Sequence, residues 1–288
     1  MKLTLAADAN SNRQFILVAP IGTATGGAFR HVEGDPGWRQ ELLADMQRLR
    51  GRIYLSDGAI TRTELTDDGR HVQAIDEHSW HLLVLSSAGK VLGCTRYLQH
   101  HSSTPFNNLR VRSAAMGQSP QWSKTLRCAV ERELEDARRS GFSYVEVGGW
   151  ALDESLRGSS DALRSVLFTF AWSHVIGGAL GLSMATHRNG SAAILRRIGG
   201  RPLEWDGAEL PPYYDPHYKC DMEVLRFDSR LPSVKYQHVI DEMRAEVPMV
   251  PVICGHKPAD PRSSFVNRSH LFAGMSERWL SDLVAPAA

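Results

Sequence analysis

Apolar residues recur along this chain in two rhythms. Leu42, Leu43, Met46 and Leu49 follow one another at steps of three and four, the spacing of one helical face. That pattern predicts a helix ending near Gly51, since glycine commonly stands just past a helix end. Leu126, Val130, Leu134 and Ala137 repeat the pattern, with Ser119-Pro120 ahead of them as N-cap and first helical residue. Arg127, Glu131, Glu135 and Arg139 stand beside that stripe at pairing distance. A third stripe holds Leu163, Val166, Leu167, Phe170, Ala171, Val175 and Gly178, widened by Phe168 and Trp172, so this helix is expected to be well buried.

The second rhythm is short and apolar, and it predicts strands. "FILVAP" (Phe15–Pro20) is the first, and "WHLLVLSS" and "KVLGCTRYL" join across Ala88-Gly89 as a hairpin. "GFSYVEVGGWAL", "GLSMATH", "RPLEW" and "DMEVLRFDS" follow. Asn189 is expected to cap a helix "SAAILRRIGG", and a last helix falls around Val234–Ala245. The prolines of "VPMVPVIC" argue against a central strand there. The order strand, strand, helix, strand, helix, strand, helix, strand pair implies an α/β fold with mixed strand directions.

Composition narrows the field of functions. Thirty-three basic and thirty-two acidic side chains among 288 residues give a formal charge of +1, which offers no support for broad nucleic-acid binding. The start of the chain lacks the apolar core of a signal peptide, and no stretch is long and apolar enough to span a bilayer. A cytoplasmic protein is therefore expected. Cys94, Cys128, Cys220 and Cys254 are scattered and read as reduced, buried thiols. Twelve histidines show no metal-ligand spacing, so no metal is expected.

Candidate chemistry centres on residues 142–200. "EVGGWALDESLRGSSDAL" passes from a strand through an Arg-Gly turn into a helix, an arrangement that leaves backbone N–H groups free for an anion. This turn, with the "NGSAAILRRIGG" helix after the next strand, resembles the GNAT acyltransferases. Their Arg/Gln-x-x-Gly-x-Gly/Ala loop falls on Arg157, Gly158, Ser159, Ser160, Asp161 and Ala162, with Ser160 at a glycine position and Asp161 adding a negative charge. Their Leu-Tyr-x-x-x-Gly-Phe motif falls on Ile194 to Gly200, with Leu195 in place of the tyrosine and Gly200 in place of the phenylalanine. Within that superfamily, Asp76, Gly93, Arg96, Tyr97 and Leu98 resemble the autoinducer (acyl-homoserine-lactone) synthases. Glu146 matches their Glu-x-Ser-Arg, whose last two residues are here Gly148 and Gly149. "LRGRIYLSDG" is similar to a segment of the long-chain N-acyl amino acid synthases.

The resemblance implies a GNAT-like, mostly antiparallel sheet flanked by helices over residues 38–229, with an N-terminal extension of residues 1–37 and a C-terminal extension of residues 230–288 packed on it. It implies transfer of a fatty acyl group from acyl carrier protein (ACP) or coenzyme A to the amino group of an amino acid or similar amine. The acyl donor is then a co-substrate, and no resident cofactor is called for. Arg157, Gly158, Ser159, Ser160 and Asn189 are the expected phosphopantetheine contacts. A single glycine lost from the loop suits the one phosphodiester of a carrier protein's arm. Glu146 is the expected base, or else the partner of an arginine such as Arg96. Arg96, Asp76, Gly148, Gly149 and Trp150 are the expected substrate-binding group, with Arg96 holding the acceptor's carboxylate and Trp150 lining an acyl pocket or serving as core. Without the motif tyrosine, Ser191 or Asn189 is left to assist the leaving thiolate. Arg196, Arg197 and Arg201 are candidates to meet an acidic carrier protein. An acyl-homoserine-lactone synthase and a GNAT-like binding module without catalysis are the alternatives.

Overall fold

The computed structural model describes residues 13–23, 27–101 and 103–256. In chain order they form β1 (Gln14–Val18), β2 (Val32–Gly34), α1 (Pro36–Ser56), β3 (Trp80–Leu85), β4 (Val91–His100), α2 (Ala115–Gln118), α3 (Ser123–Ser140), β5 (Ser143–Leu152) and α4 (Ser160–Val175). Then come β6 (Ala179–Thr186), α5 (Ser191–Ile198), β7 (Arg201–Pro202), β8 (Glu204–Trp205), β9 (Ala208–Glu209), β10 (Tyr213–Asp215), β11 (Cys220–Asp228), α6 (Gln237–Glu246) and β12 (Val252–Cys254). One sheet runs β10-β11-β6-β5-β4-β3-β1-β12-β2, with β7 against β11, and β8–β9 is a separate hairpin. Among the described residues only β5–β6, β1–β12 and β12–β2 are parallel.

Local chemistry explains most elements. Asp35 caps α1 by accepting the Trp38 N–H at 2.9 Å, with Pro36 in its first turn. The helix does not stop at Gly51, as the sequence suggested, but continues to Ser56. Glycine there serves packing: a Cβ would lie 2.5 Å from the Gly69 carbonyl oxygen of the loop that crosses the helix. Trp122, not Ser119, stands at the N-cap of α3, while the Ser119 hydroxyl accepts N–H groups of Gln121 and Trp122 in the turn before it. Arg127 and Glu131 pair at 3.1 Å as spaced, but Arg139 turns to Asp136 and Glu135 to Arg138.

Two apolar layers cover the sheet. Leu167, Phe168, Phe170 and Trp172 of α4 pack with α5 and α6 on one face, and Trp172 stacks on Tyr97 of β4. Leu42, Leu43, Met46 and Ile53 of α1 and Leu126, Val130 and Leu134 of α3 cover the other. Helix α6 packs against α4. Strands from the flanking segments complete the same sheet: β1 pairs with β3, and β12 lies between β1 and β2. The prolines of "VPMVPVIC" therefore do not keep it out of the sheet interior. Both precede β12, so Val252 still donates to His31 and the missing N–H groups fall outside the ladder. Cys94 and Cys254 are buried, whereas Cys128 and Cys220 are only partly so, and none of the four is paired.

The feature that positions the site lies between β5 and β6. Their parallel ladder runs from Ser143–Ala179 to Val147–Ser183 and then ends. Beyond it β5 continues with β4 and β6 with β11, so the two strands splay apart. On its β4 side, β5 holds one extra residue between the pairs Gly148–Arg96 and Ala151–Cys94, a β-bulge. Gly149 occupies it with φ +63°, a left-handed conformation open to glycine at little cost.

Candidate active site

A cleft of about 1450 Å³ passes through this opening. On the α4 side its wall holds Arg157, Gly158, Ser159, Leu163, Leu195 and Tyr236; on the α1–α3 side it holds Arg96, Leu98, Arg110, Glu146, Met184 and Met222. Gly148, Gly149 and Trp150 form the edge between the two. The cleft thus brings together Arg96, Glu146, Gly148, Gly149, Trp150, Arg157, Gly158, Ser159 and Asn189, whereas Asp76, expected to bind substrate, is buried behind the wall and does not line it.

At the α4 end, Ser159 is the N-cap: its hydroxyl accepts the Ala162 N–H at 3.3 Å and donates to the Leu156 carbonyl at 2.7 Å. Gly158 enters the turn with φ +77°. Arg157 is exposed and sits 4.0 Å from Asp57. Ser160 opens the helix but is not part of the cleft wall. Asp161 pairs with Arg13 at 3.2 Å, which offsets the charge it brings to the loop. Asn189 lies exposed at the rim and does not cap α5, because Gly190 takes that position in a left-handed conformation with no side-chain cap. Ser191 is occupied, bonded to the Thr186 carbonyl at 2.8 Å. Leu195, at the motif tyrosine position, faces the cleft; the tyrosines that reach it are Tyr54, Tyr213, Tyr218 and Tyr236. Of the three basic residues in and after α5, Arg196 is tied to Glu223 at 2.7 Å and only Arg197 lines the cleft.

The opposite end is built around Asp76. Its carboxylate accepts Arg50 Nη1 at 3.0 Å and Nη2 at 2.6 Å, Arg96 Nη1 at 3.3 Å, Gln47 Nε2 at 3.1 Å and the Gln73 N–H at 3.1 Å. Burial alone would raise this carboxyl's pKa, but the Arg50 hydrogen bonds and charge prevail and hold it well below the usual range. Arg96, also bonded to Gln73, has the opposite fate: burial, then the neighbouring Arg110 and Arg50 cations, push it down to about 10. His71 and His81, beside the same cluster, are pushed down to about 4, mainly by burial, and so are neutral at neutral pH.

Glu146 is buried and, among the described residues, pairs with no arginine. Its Oε2 accepts the Arg110 N–H and meets His100 Nε2, both at 2.9 Å, and its Oε1 accepts the Val111 N–H at 2.9 Å. The ion pair that the sequence suggested with Arg96 is replaced by Arg96–Asp76, because the β4–β5 ladder sets Leu98 opposite Glu146 and Arg96 opposite Gly148, two residues further on. Trp150 is half-buried: it faces the cleft and also packs against the core.

Sequence reasoning missed Arg50, Gln73 and Arg110. Arg50 carried a signal, since it stands four residues after Met46 and three before Ile53, on the apolar face of α1. Arg110 carried none, because it enters the cleft from a loop whose place is set by tertiary contacts, its own N–H bonded to Glu146 among them.

A mostly antiparallel sheet whose central parallel pair splays at a β-bulge, opposite a helix N-terminus, is the GNAT-like acyltransferase fold. The sequence matches no protein-family model and no curated protein. Among solved structures the chain is similar to the CoA-dependent acyl-homoserine lactone synthase BjaI, in its forms with SAM and isopentyl-CoA and with MTA. Each match has 14% identity and a TM-score of 0.50, over 85% of this chain and 94% of that one. FeeM, an N-acyl amino acid synthase from uncultured soil microbes, aligns at 10% identity and a TM-score of 0.47, over 78% of this chain and 98% of its own. At these identities the likeness is one of fold.

Proposed function

We propose that this chain is an N-acyltransferase that moves a fatty acyl group from acyl-ACP or acyl-CoA to the amino group of an amino acid or a similar amine. The observation that carries this reading is the single cleft through the splayed sheet. It joins a helix N-terminus suited to a phosphate with an apolar middle and a polar, cation-rich end. The donor's phosphopantetheine arm lies along the α4 end, against Gly158, Ser159 and Arg157. A loop with one glycine fewer than the acyl-CoA motif suits the single phosphodiester of a carrier protein, and Arg197 and Lys235 at the rim suit an acidic carrier. Leu163, Val166, Leu182 and Met184 offer apolar surface to the acyl chain.

In the reaction, the acceptor nitrogen attacks the thioester carbon, the C–N bond forms, the C–S bond breaks and the thiolate leaves. The ammonium proton must go to a base, and Glu146, in the wall beside Gly148, is assigned that role, directly or through water. Backbone N–H groups of β5 beyond Val147, where the β6 ladder has ended, are the proposed donors that polarise the carbonyl.

The test is incubation of the purified chain with acyl-ACP and acyl-CoA of several chain lengths and a mixture of amino acids and S-adenosylmethionine, with extracts analysed by mass spectrometry. A new acyl-amide mass is expected, in greater yield from acyl-ACP than from acyl-CoA. A lactone product would assign the chain as a homoserine-lactone synthase, and tight acyl binding with no amide from any pair would leave a binding module. Glu146→Gln is expected to abolish turnover with the fold intact. A variant that turns over normally but unfolds more readily would make Glu146 only the anchor of residues 110–111.

A further inference from the structure

The splayed strands present different chemistry to the two faces of the sheet. Side chains alternate along a strand, so residues two apart share a face. On β6, Leu180 and Leu182 lie in the layer with α3, while Ala179 and Ala185 lie in the layer with α4. Ser183 falls between Ala179 and Ala185 in that alternation and points to the α4 face. On β5, Val145 and Val147 point the same way. Glu146 points to the α3 face, where it holds the N–H groups of Arg110 and Val111.

Ser183 stands opposite Val147 in the last pair of the parallel ladder, where the cleft opens. It is 4% exposed, and among the described residues its hydroxyl has no hydrogen-bond partner, although it is not sealed from the cleft. A buried hydroxyl without a partner costs free energy unless a ligand supplies one. Ser159 and Ser191, also on the α4 side, are committed: the first donates to the Leu156 carbonyl and the second to that of Thr186. Tyr236 has no hydrogen-bond partner either, but its hydroxyl stands a ring's length from a backbone tied to the end of α5 through Ser233 and Ile198. A serine hydroxyl has no such reach, so strand register alone fixes that of Ser183 at the splay.

The arrangement separates the two partners in acyl transfer. Glu146 takes the amine's proton from the α3 face, and the donor's arm lies along the α4 face, so its sulfur departs toward α4. As the C–N bond forms, the C–S bond breaks and its electron pair stays on sulfur. We propose that Ser183 is a catalytic residue whose hydroxyl donates a hydrogen bond to this departing thiolate, the part for which the sequence offered Ser191 or Asn189. The hydroxyl keeps its proton, and the thiolate takes one from water once it has left. The assignment rests on the acyl-transfer reading above.

Leaving-group dependence tests it. The natural donor, dodecanoyl-ACP or dodecanoyl-CoA, whichever reacts faster, is compared with S-(4-nitrophenyl) dodecanethioate. All carry the same acyl chain, but the aryl thiolate is stabilised by its own ring and departs without help. Each donor is mixed with excess enzyme and the acceptor mixture used above. Single-turnover formation of acylated product is followed by mass spectrometry, with the uncatalysed rate subtracted. Ser183→Ala is expected to slow the natural donor by about ten- to a hundredfold, the worth of a hydrogen bond to a charged group, and the aryl donor by less than about threefold. An equal loss with both donors makes Ser183 a structural or acyl-binding residue and overturns the assignment. So does an unchanged rate with the natural donor, or a donor-dependent loss that appears in Tyr236→Phe instead. Each of these outcomes leaves acyl transfer standing. No acylated product from any donor with the folded wild type overturns the acyl-transfer reading and the assignment with it.

Discussion

Replacing Asp76 with asparagine removes the one negative charge between two buried arginines while keeping nearly the same shape. Arg50 is 0% exposed and spends two nitrogens on this carboxylate, and Arg96 spends a third. Asparagine keeps a single acceptor oxygen and turns an NH₂ group toward those donors. Breaking a buried pair by removing one partner costs about 3–5 kcal/mol, because the remaining charge stays buried and uncompensated. At an unfolding entropy of about 2.1 cal/mol/K per residue, a chain of 288 residues loses about 0.6 kcal/mol per degree near its midpoint, so Tm is expected to fall by about 5–8 °C. Urea denaturation at pH 7 measures the same loss as a shift in midpoint at unchanged slope. The Asp76 pKa is lowered in the folded chain, so its contribution is fully present above its unfolded value and lost as pH falls below about 4. The difference between wild type and Asp76→Asn should therefore shrink toward acid pH. A loss under about 1 kcal/mol at pH 7 would show that the cluster is not the buried charge network described here.

Gly51→Ala tests packing against propensity. Alanine is favoured in a helix by about 1 kcal/mol, yet its Cβ would meet the Gly69 carbonyl oxygen at 2.5 Å, so the variant is expected to lose about 1–3 kcal/mol in chemical denaturation. A gain in stability would contradict the close approach of that loop. His81 supplies a second pH dependence: it is fully buried, and its pKa stands near 4 against 6.5 in the unfolded chain. Between these values the unfolded chain binds the proton and the folded chain does not, so stability falls by up to about 3 kcal/mol as pH drops from 6.5 to 4. His81→Gln should flatten that part of the stability–pH curve whatever its effect at pH 7.

The order of the main elements was legible because it rests on local signals. The stripes of α1, α3 and α4 and the apolar runs of β3, β4, β5 and β11 all stand where the periodicity put them. Misplaced boundaries came from residues whose meaning is tertiary. Gly51 reads as a helix end until the loop that needs its bare backbone is seen. The prolines near residue 250 read as a break until β12 is found to begin just after them. Asn189 reads as a cap until Gly190 takes the left-handed turn.

The sequence by itself determined the helix N-terminus at Ser159, the glycine pair in β5 and the types of side chain placed around them, because turns, caps and alternation act between near neighbours in the chain. Tertiary structure alone decided which charges meet. The sequence offered Arg96 as a partner for Glu146, but the strand register sets Arg96 opposite Gly148 and within reach of Asp76, and leaves Glu146 to hold the backbone of Arg110. Charge pairing depends on distance across strands and helices far apart in the chain, and no local pattern records it.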